Sequence, residues 1–251
     1  AGNIYKVYHG DSLKKLEEDP YQALGEVRGF GFKTADNMGH ALGIELNDPR
    51  RVRGALLSIL QTALNTLGDT YVALDELLTQ AYDLVQSTSY DELANSVNEL
   101  QRQGKVVVSG DKAALQTIFQ TELDIATELK HVVNNQVEKE EFDDSDIEKA
   151  IKHVEETLEI EYDDTQKNAI KNALNNPISI LTGGPGTGKT TIINGILMCL
   201  KELAEIPSAA LYSDDPPFLL AAPTGRAAKR MSEVTDSSAK TSHRLLGLGI
   251  G

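Results

Sequence analysis

The chain predicts a mixed fold in which helical units fill the first half and part of an α/β domain with a phosphate-binding loop and a parallel sheet fills the second. Three observations carry this expectation. Residues 178–201, ISILTGGPGTGKTTIINGILMCLK, pass from a β-branched apolar run through a Gly/Pro-rich loop into an apolar segment at helical spacing. Residues 218–235, FLLAAPTGRAAKRMSEVT, repeat that grammar of apolar strand, glycine break and helix. The first 133 residues carry mainly the 3.6-residue period, with a clear strand only at 105–109.

Taken in order, residues 1–48 read as short helices. Asp11 and Ser12 stand as an N-cap before LKKLEE, Pro20 stops that helix, and 21–27 form another short turn. Gly29, Phe30 and Gly31, followed by a helix with small Ala35 inside, give a helix, tight hairpin, helix pattern that resembles the helix-hairpin-helix module. Glycines at such a hairpin free backbone amides to face a nucleic-acid phosphate, with Lys33 and Thr34 at the next helix start adding to the grip. The same hairpin also serves as a packing corner, so both roles stay open.

Residues 49–120 predict a winged-helix-like unit. A helical face runs over 51–67 and ends at Gly68, a brief extended piece follows at 70–72, and a second helix covers 74–85. Asp91 is the expected cap of a third helix ending at Gly104, and KVVVS at 105–109 begins a β-ribbon closed by Gly110-Asp111. That third helix carries Glu92 and Glu99 against Arg102, with Lys105 nearby. So few cations favour a structural or protein-contact role over DNA. Residues 121–145 are read as the coupling part, in which an amphipathic helix over 115–133 leads into an acidic linker.

The phosphate-binding domain is expected over 146–251. Gly183-xxxx-Gly188-Lys189-Thr190 fits the phosphate-loop pattern without exception. Glycines let successive N–H groups turn inward around a phosphate, and the following helix aims its partly positive end at the same point. Lys189 supplies a mobile cation for the outer phosphates, and the Thr190 hydroxyl is placed to ligate Mg²⁺. Strand, helix, strand in this order predicts a right-handed crossover whose two break loops share the carboxyl rim of the sheet. A second anion site there would hold more of the nucleotide or a polyanion backbone. Gln166, near the start of a helix over 163–174, is by itself an ordinary surface residue.

The net charge of −14 argues against a polyanionic partner until its distribution is examined. Residues 138–164 hold thirteen acids and three lysines, whereas 220–247 hold five bases and two acids, a local basic strip. No run approaches a membrane span and no signal-peptide core opens the chain, so a soluble cytoplasmic protein is expected. The lone Cys199 reads as a small buried hydrophobe, and the five histidines show no zinc-ligand spacing. The absent initiator Met and the ending GLGIG suggest a piece of something longer.

The segments DPYQALGEVRGFGFKTADNMGHALGI, TQKNAIKNAL, SILTGGPGTGKTT, LLAAPTGRAAKRMSEVT and AKTSHRLLG together resemble the RecD/TraA family of superfamily 1 DNA helicases, in particular RecD-like enzymes with an extended N-terminal region. The resemblance implies a RecA-like motor fold for the second half. It implies ATP and Mg²⁺ as cofactors, with Gln166 contacting adenine and Gly184, Pro185, Gly186, Thr187, Gly188, Lys189, Thr190 and Thr191 forming motif I, Lys189 and Thr190 being the catalytic members. It implies single-stranded DNA, and junctions of single and double strands, at Pro223, Thr224, Gly225, Arg226, Lys229 and His243, and translocation toward the 3′ end. A protein partner through the N-terminal units is a further expectation. After Gly188 the sequence has neither the acidic DExQ-type segment nor the later arginine motif of the family, so residues 1–251 alone are expected to bind nucleotide weakly and hydrolyse it little. A transporter-type protein would carry an LSGGQ-like signature, which is absent, and a small-molecule kinase has no use for APTGRAAKR. A non-catalytic DNA-binding or protein-docking module fits the same residues and stays open as the alternative.

Overall fold

The computed structural model describes residues 2–24, 27, 29–134, 142–213 and 216–248, which form two compact units, 1–128 and 129–251. The heart of the expected acidic linker, 135–141, and Gly25, Glu26 and Arg28 of the hairpin segment lie outside the described residues.

The N-terminal unit begins with α1 (Gly2–Tyr8) and α2 (Ser12–Glu18), continues through a 3₁₀ turn at Pro20–Ala23, and enters α3 (Phe32–Ala41) after the hairpin. Asp11 makes no side-chain cap; the Ser12 hydroxyl instead donates to the His9 carbonyl at 2.6 Å. Next come α4 (Pro49–Thr62), β1 (Val72–Ala73), α5 (Leu74–Val85), α6 (Tyr90–Arg102), and the hairpin of β2 (Val106–Ser109) and β3 (Lys112–Leu115). The three strands pair antiparallel in the order β1-β3-β2. This helix, strand, two helices, ribbon order is winged-helix topology, as the sequence predicts. The cap of α6 is Ser89, not Asp91: its hydroxyl accepts from Glu92 N while Glu92 accepts from Ser89 N, because the residue three before the first glutamate is the one that can close both bonds. A π-helical turn, Ala63–Leu67, extends α4 to Gly68, whose φ of 79° ends it.

One apolar core runs from Tyr8 through Val27, Phe30, Leu56, Leu77 and Leu100 to Ala113, so the hairpin segment and the winged-helix segment share it. At its centre Tyr21 lies against α3 and α4. A Cβ at Gly39 would meet the Tyr21 hydroxyl oxygen at 2.6 Å, and one at Gly54 would meet its Cδ1 at 2.6 Å. The Tyr21 hydroxyl donates to Asp36 Oδ1 at 2.7 Å, and Arg51 donates to both Asp36 oxygens at 2.7 and 3.1 Å. Arg51, only 6% exposed, also donates to the carbonyls of Leu46 and Val85 at 3.0 Å each, which ties α3, α4 and α5 together. Burial alone would raise the Asp36 carboxyl, but the bonds from Arg51 and Tyr21 outweigh it and hold it below its ordinary value of 3.8.

After α7 (Gln116–Asn134), which has no buried residue, the second unit stacks α8 (Asp144–Leu158), α9 (Asp164–Asn175) and α10 (Lys189–Leu203) around Ile147, Ile151, Ile170, Ile192 and Cys199. Then follow β4 (Leu220–Ala222), α11 (Gly225–Thr235), β5 (Ala239–Thr241) and the short α12 (Ser242–Leu245), with α11 packed on α10. β4 and β5 pair in parallel, in the register Leu220 with Ala239 and Ala222 with Thr241. The strand expected at 178–182 does not form. Among the described residues no strand lies beside it to complete a ladder, and Ile178 and Ile180 are 36% and 84% exposed.

Truncating Arg51 to Ala leaves the Asp36 carboxylate half-buried without its cation, and it should destabilise the N-terminal unit by about 3 kcal/mol in denaturant unfolding. The carboxyl that Arg51 depresses contributes stability that is complete above pH 3.8 and is lost as pH falls through its lower native value. An acid titration of unfolding free energy should therefore show a steeper limb in the wild type than in Asp36→Asn.

Candidate nucleotide and nucleic-acid site

Loop 183–188 bends through Gly186 and Gly188, at φ of 80° and 78°, a left-handed conformation that side-chain-bearing residues rarely adopt. Gly188 opens α10, its carbonyl accepting from Ile192 N at 2.9 Å. Lys189 Nζ donates to the carbonyls of Gly183 and Gly184, both at 2.6 Å, and lies 3.5 Å from Thr187 Oγ1. Thr187 in turn donates to the Gly184 carbonyl at 2.9 Å. The loop thus folds around its own ammonium group. Gly184, Pro185, Gly186 and Thr187 are exposed, and Gly188, Lys189, Thr190 and Thr191 are half-buried at the helix start.

Gln166 meets this loop. A Cβ on Gly188 would sit 2.9 Å from Gln166 Nε2, so the amide lies directly against the loop's last glycine. The other end of that amide is engaged: Oε1 accepts from Asp163 N at 3.1 Å while Asp163 Oδ1 accepts from Gln166 N at 2.8 Å. This capping box directs Nε2 outward as a donor. The sequence places a carboxylate at the start of this helix, and the structure identifies Asp163 as the one that closes the box with Gln166.

Two further residues, missed because they lie outside any motif, set the distance between α9 and α10. A Cβ on Gly195 would meet the Tyr162 hydroxyl oxygen at 2.5 Å and Ile170 Cδ1 at 3.0 Å, and that hydroxyl donates to the Thr191 carbonyl at 3.3 Å. Glu155 accepts from Tyr162 N at 2.8 Å and pairs with Lys167 at 3.0 Å, which fixes the turn leading into α9. Cys199 is fully buried beside this contact. Burial, with the Glu202 charge adding to it, pushes its thiol up to about 12.

Pro223, Thr224 and Gly225 follow β4, and the Thr224 hydroxyl caps α11 by accepting from Ala227 N at 3.3 Å. Arg226, Lys229 and Arg230 are exposed on α11, with Glu233 near Lys229 at 3.9 Å. The turn that shares a sheet rim with Pro223–Thr224 is the one after β5, not the phosphate loop, because β5 is the strand paired with β4. Thr241 caps α12 by accepting from Arg244 N at 3.2 Å, Ser242 donates to the Ala222 carbonyl at 3.3 Å, and His243 is exposed beside them.

In the N-terminal unit Gly29 has φ of 79°, and Gly31 caps α3 through its carbonyl, which accepts from Thr34 N and Ala35 N at 3.0 and 3.2 Å. Phe30 and Phe32 anchor the hairpin in the core, while Gly29, Gly31, Lys33 and Thr34 are exposed. On α6 the one arginine, Arg102, is paired with Glu99 at 2.6 Å.

Residues 1–71 match the family model described as the ATP-dependent RecD2 DNA helicase HHH domain, and residues 166–250 match that of an AAA domain. The ATP-dependent RecD2 DNA helicase of Deinococcus radiodurans is 30% identical over 263 residues, covering 99% of this chain and 34% of that protein. The RecBCD enzyme subunit RecD of Mycobacterium tuberculosis is 39% identical over 100 residues, 34% of this chain and 17% of that protein. The corresponding subunit of Haemophilus influenzae is 46% identical over 70 residues, 28% of this chain and 10% of that one. The chain thus spans about a third of the length of the first of these relatives.

Replacing Gly195 with Ala should force Tyr162 away from α10 and cost about 1–3 kcal/mol of stability in the second unit. The Cys199 thiol should resist a thiol-specific reagent at pH 8 in the native protein and react at once in denaturant. Rapid native labelling would contradict the burial described.

Proposed function

Because the chain belongs to the RecD-like group of superfamily 1 helicases, we propose that it carries the nucleotide grip and the first DNA contacts of an ATP-dependent DNA helicase that moves toward the 3′ end of the strand it holds. The observation that carries this reading is the meeting of Gln166 with Gly188, since it joins an amide donor to a phosphate loop 22 residues along the chain. Such a pair suits a ligand with a hydrogen-bonding base at one end and phosphates at the other.

The donor set fits MgATP. The left-handed glycines leave room where side chains would intrude, Lys189 is a cation able to exchange carbonyl partners for phosphate oxygens, and Thr190 offers a hydroxyl for Mg²⁺. Bound ATP supplies the free energy of phosphoryl transfer; the residues here bind and orient it. Pro223, Thr224, Gly225, Arg226, Lys229 and His243 would hold single-stranded DNA, with cations on phosphates and the α11 N-terminus toward the backbone. Gly29, Gly31, Lys33 and Thr34 would add a contact without base readout.

Residues 1–251 should bind a fluorescent ATP analogue weakly, and Lys189→Ala should weaken it at least about tenfold, the loss of a charge-assisted contact to phosphate. Hydrolysis by these residues should be negligible, since transition-state charge needs an arginine and a held metal worth a thousandfold or more. Turnover at a rate typical of motors, abolished by Lys189→Ala, would overturn this part. For the full-length protein, strand displacement on tailed duplexes should require a 5′ tail; unwinding from a 3′ tail alone would reverse the assigned direction.

A further inference from the structure

We propose that the groove between the glycine hairpin and the foot of the β2–β3 ribbon takes the backbone of a single-stranded nucleic acid, extending the hairpin contact into a track. This rests on the DNA-motor reading above and assigns residues beyond the hairpin, namely Gln61, Asn65, Lys105, Gln116 and Thr117.

The groove, about 990 Å³, lies wholly within the N-terminal unit. It is lined by Gly29 and Gly31, by the end of α4 and the π turn, and by Lys105 with the start of α7. Among the described residues its lining contains neither Asp nor Glu, in a chain that carries 38 of them and a net charge of −14. A recess whose described lining carries the Lys105 ammonium and no carboxylate is complementary to an anion. Lys105 is half-buried there.

The π turn is a second, independent observation. π turns are rare and often mark functional positions; here Ala63 packs half-buried against the core while Asn65, Thr66 and Leu67 are exposed. Its residues Leu64, Asn65 and Thr66 line the groove. The amides of Gln61, Asn65 and Gln116 and the hydroxyl of Thr117 offer donors to phosphate oxygens, which only accept. Leu57 and Leu115 supply apolar surface for sugars or base faces.

A single strand fits better than a duplex or an acidic protein segment. Duplex DNA presents about one charge per 1.7 Å and calls for a broad cationic face, whereas among its described lining residues this groove has one lysine, and α6 presents Glu92, with its Arg102 already paired. Neutral donors spaced along a recess instead suit a flexible backbone that can bend into it.

The test uses residues 1–251 without nucleotide, with fluorescein-labelled oligothymidylate followed by anisotropy across a salt series. Lys105→Glu and Asn65→Asp, both confirmed as folded by circular dichroism and thermal melting, should each weaken binding about fivefold, and Lys105→Ala should lower the log–log salt slope by about 0.7. Unchanged affinity and slope in these variants, with binding lost in Arg226→Ala, would overturn the groove and leave the motor reading intact. Failure of the wild type to bind the oligonucleotide at all would sink both. Equal weakening toward a blunt duplex of the same length would overturn the single-strand assignment.

Discussion

Each unit is set by a tyrosine that approaches a helix at a point where only glycine fits. Tyr21 lies against Gly39 of α3 and Gly54 of α4, and Tyr162 lies against Gly195 of α10. Glycine inside a helix costs roughly 0.5–1 kcal/mol relative to alanine, so these positions need a return from packing. The return is proximity. In the first unit it brings the Tyr21 hydroxyl to Asp36 and so completes the Arg51 network; in the second it brings α9 close enough to α10 for Gln166 to reach Gly188.

The two networks differ in what they do with polarity. Around Tyr21 the polar groups are satisfied inward: Arg51 gives its protons to Asp36, Leu46 and Val85, and the result is a joint between three helices. Around Tyr162 they are satisfied along the backbone, through Glu155, Asp163 and the Thr191 carbonyl, and Gln166 Nε2 is left facing the loop. The first arrangement suits a scaffold and the second a binding site.

The left-handed bends of loop 183–188 were legible because glycine spacing is itself the physical requirement, and Gly186 and Gly188 adopt the backbone that the pattern demands. Helix ends marked by Gly68 and Gly104 and the boundaries of α5 were equally legible. The sheet was not. An apolar run shows that a segment could be a strand, but pairing depends on a neighbour, and 178–182 finds none among the described residues while the three-residue β5 pairs with β4. Three residues are too few to display a period. Caps fell between these cases: Ser89 and Asp163 each stand three residues before a Glu or Gln, a signal present in the sequence, yet adjacent candidates such as Asp91 obscured the first.

The Asp163 box gives Gln166 an unusual economy. A surface glutamine ordinarily samples many rotamers, and a ligand that captured it would lose up to about 1.5 kcal/mol to immobilise it. Here the side chain is already held by the first turn of its own helix, so its rotational freedom is surrendered when α9 folds and not when a ligand arrives. Whatever docks against Gly188 meets an amide whose aim is a property of the fold.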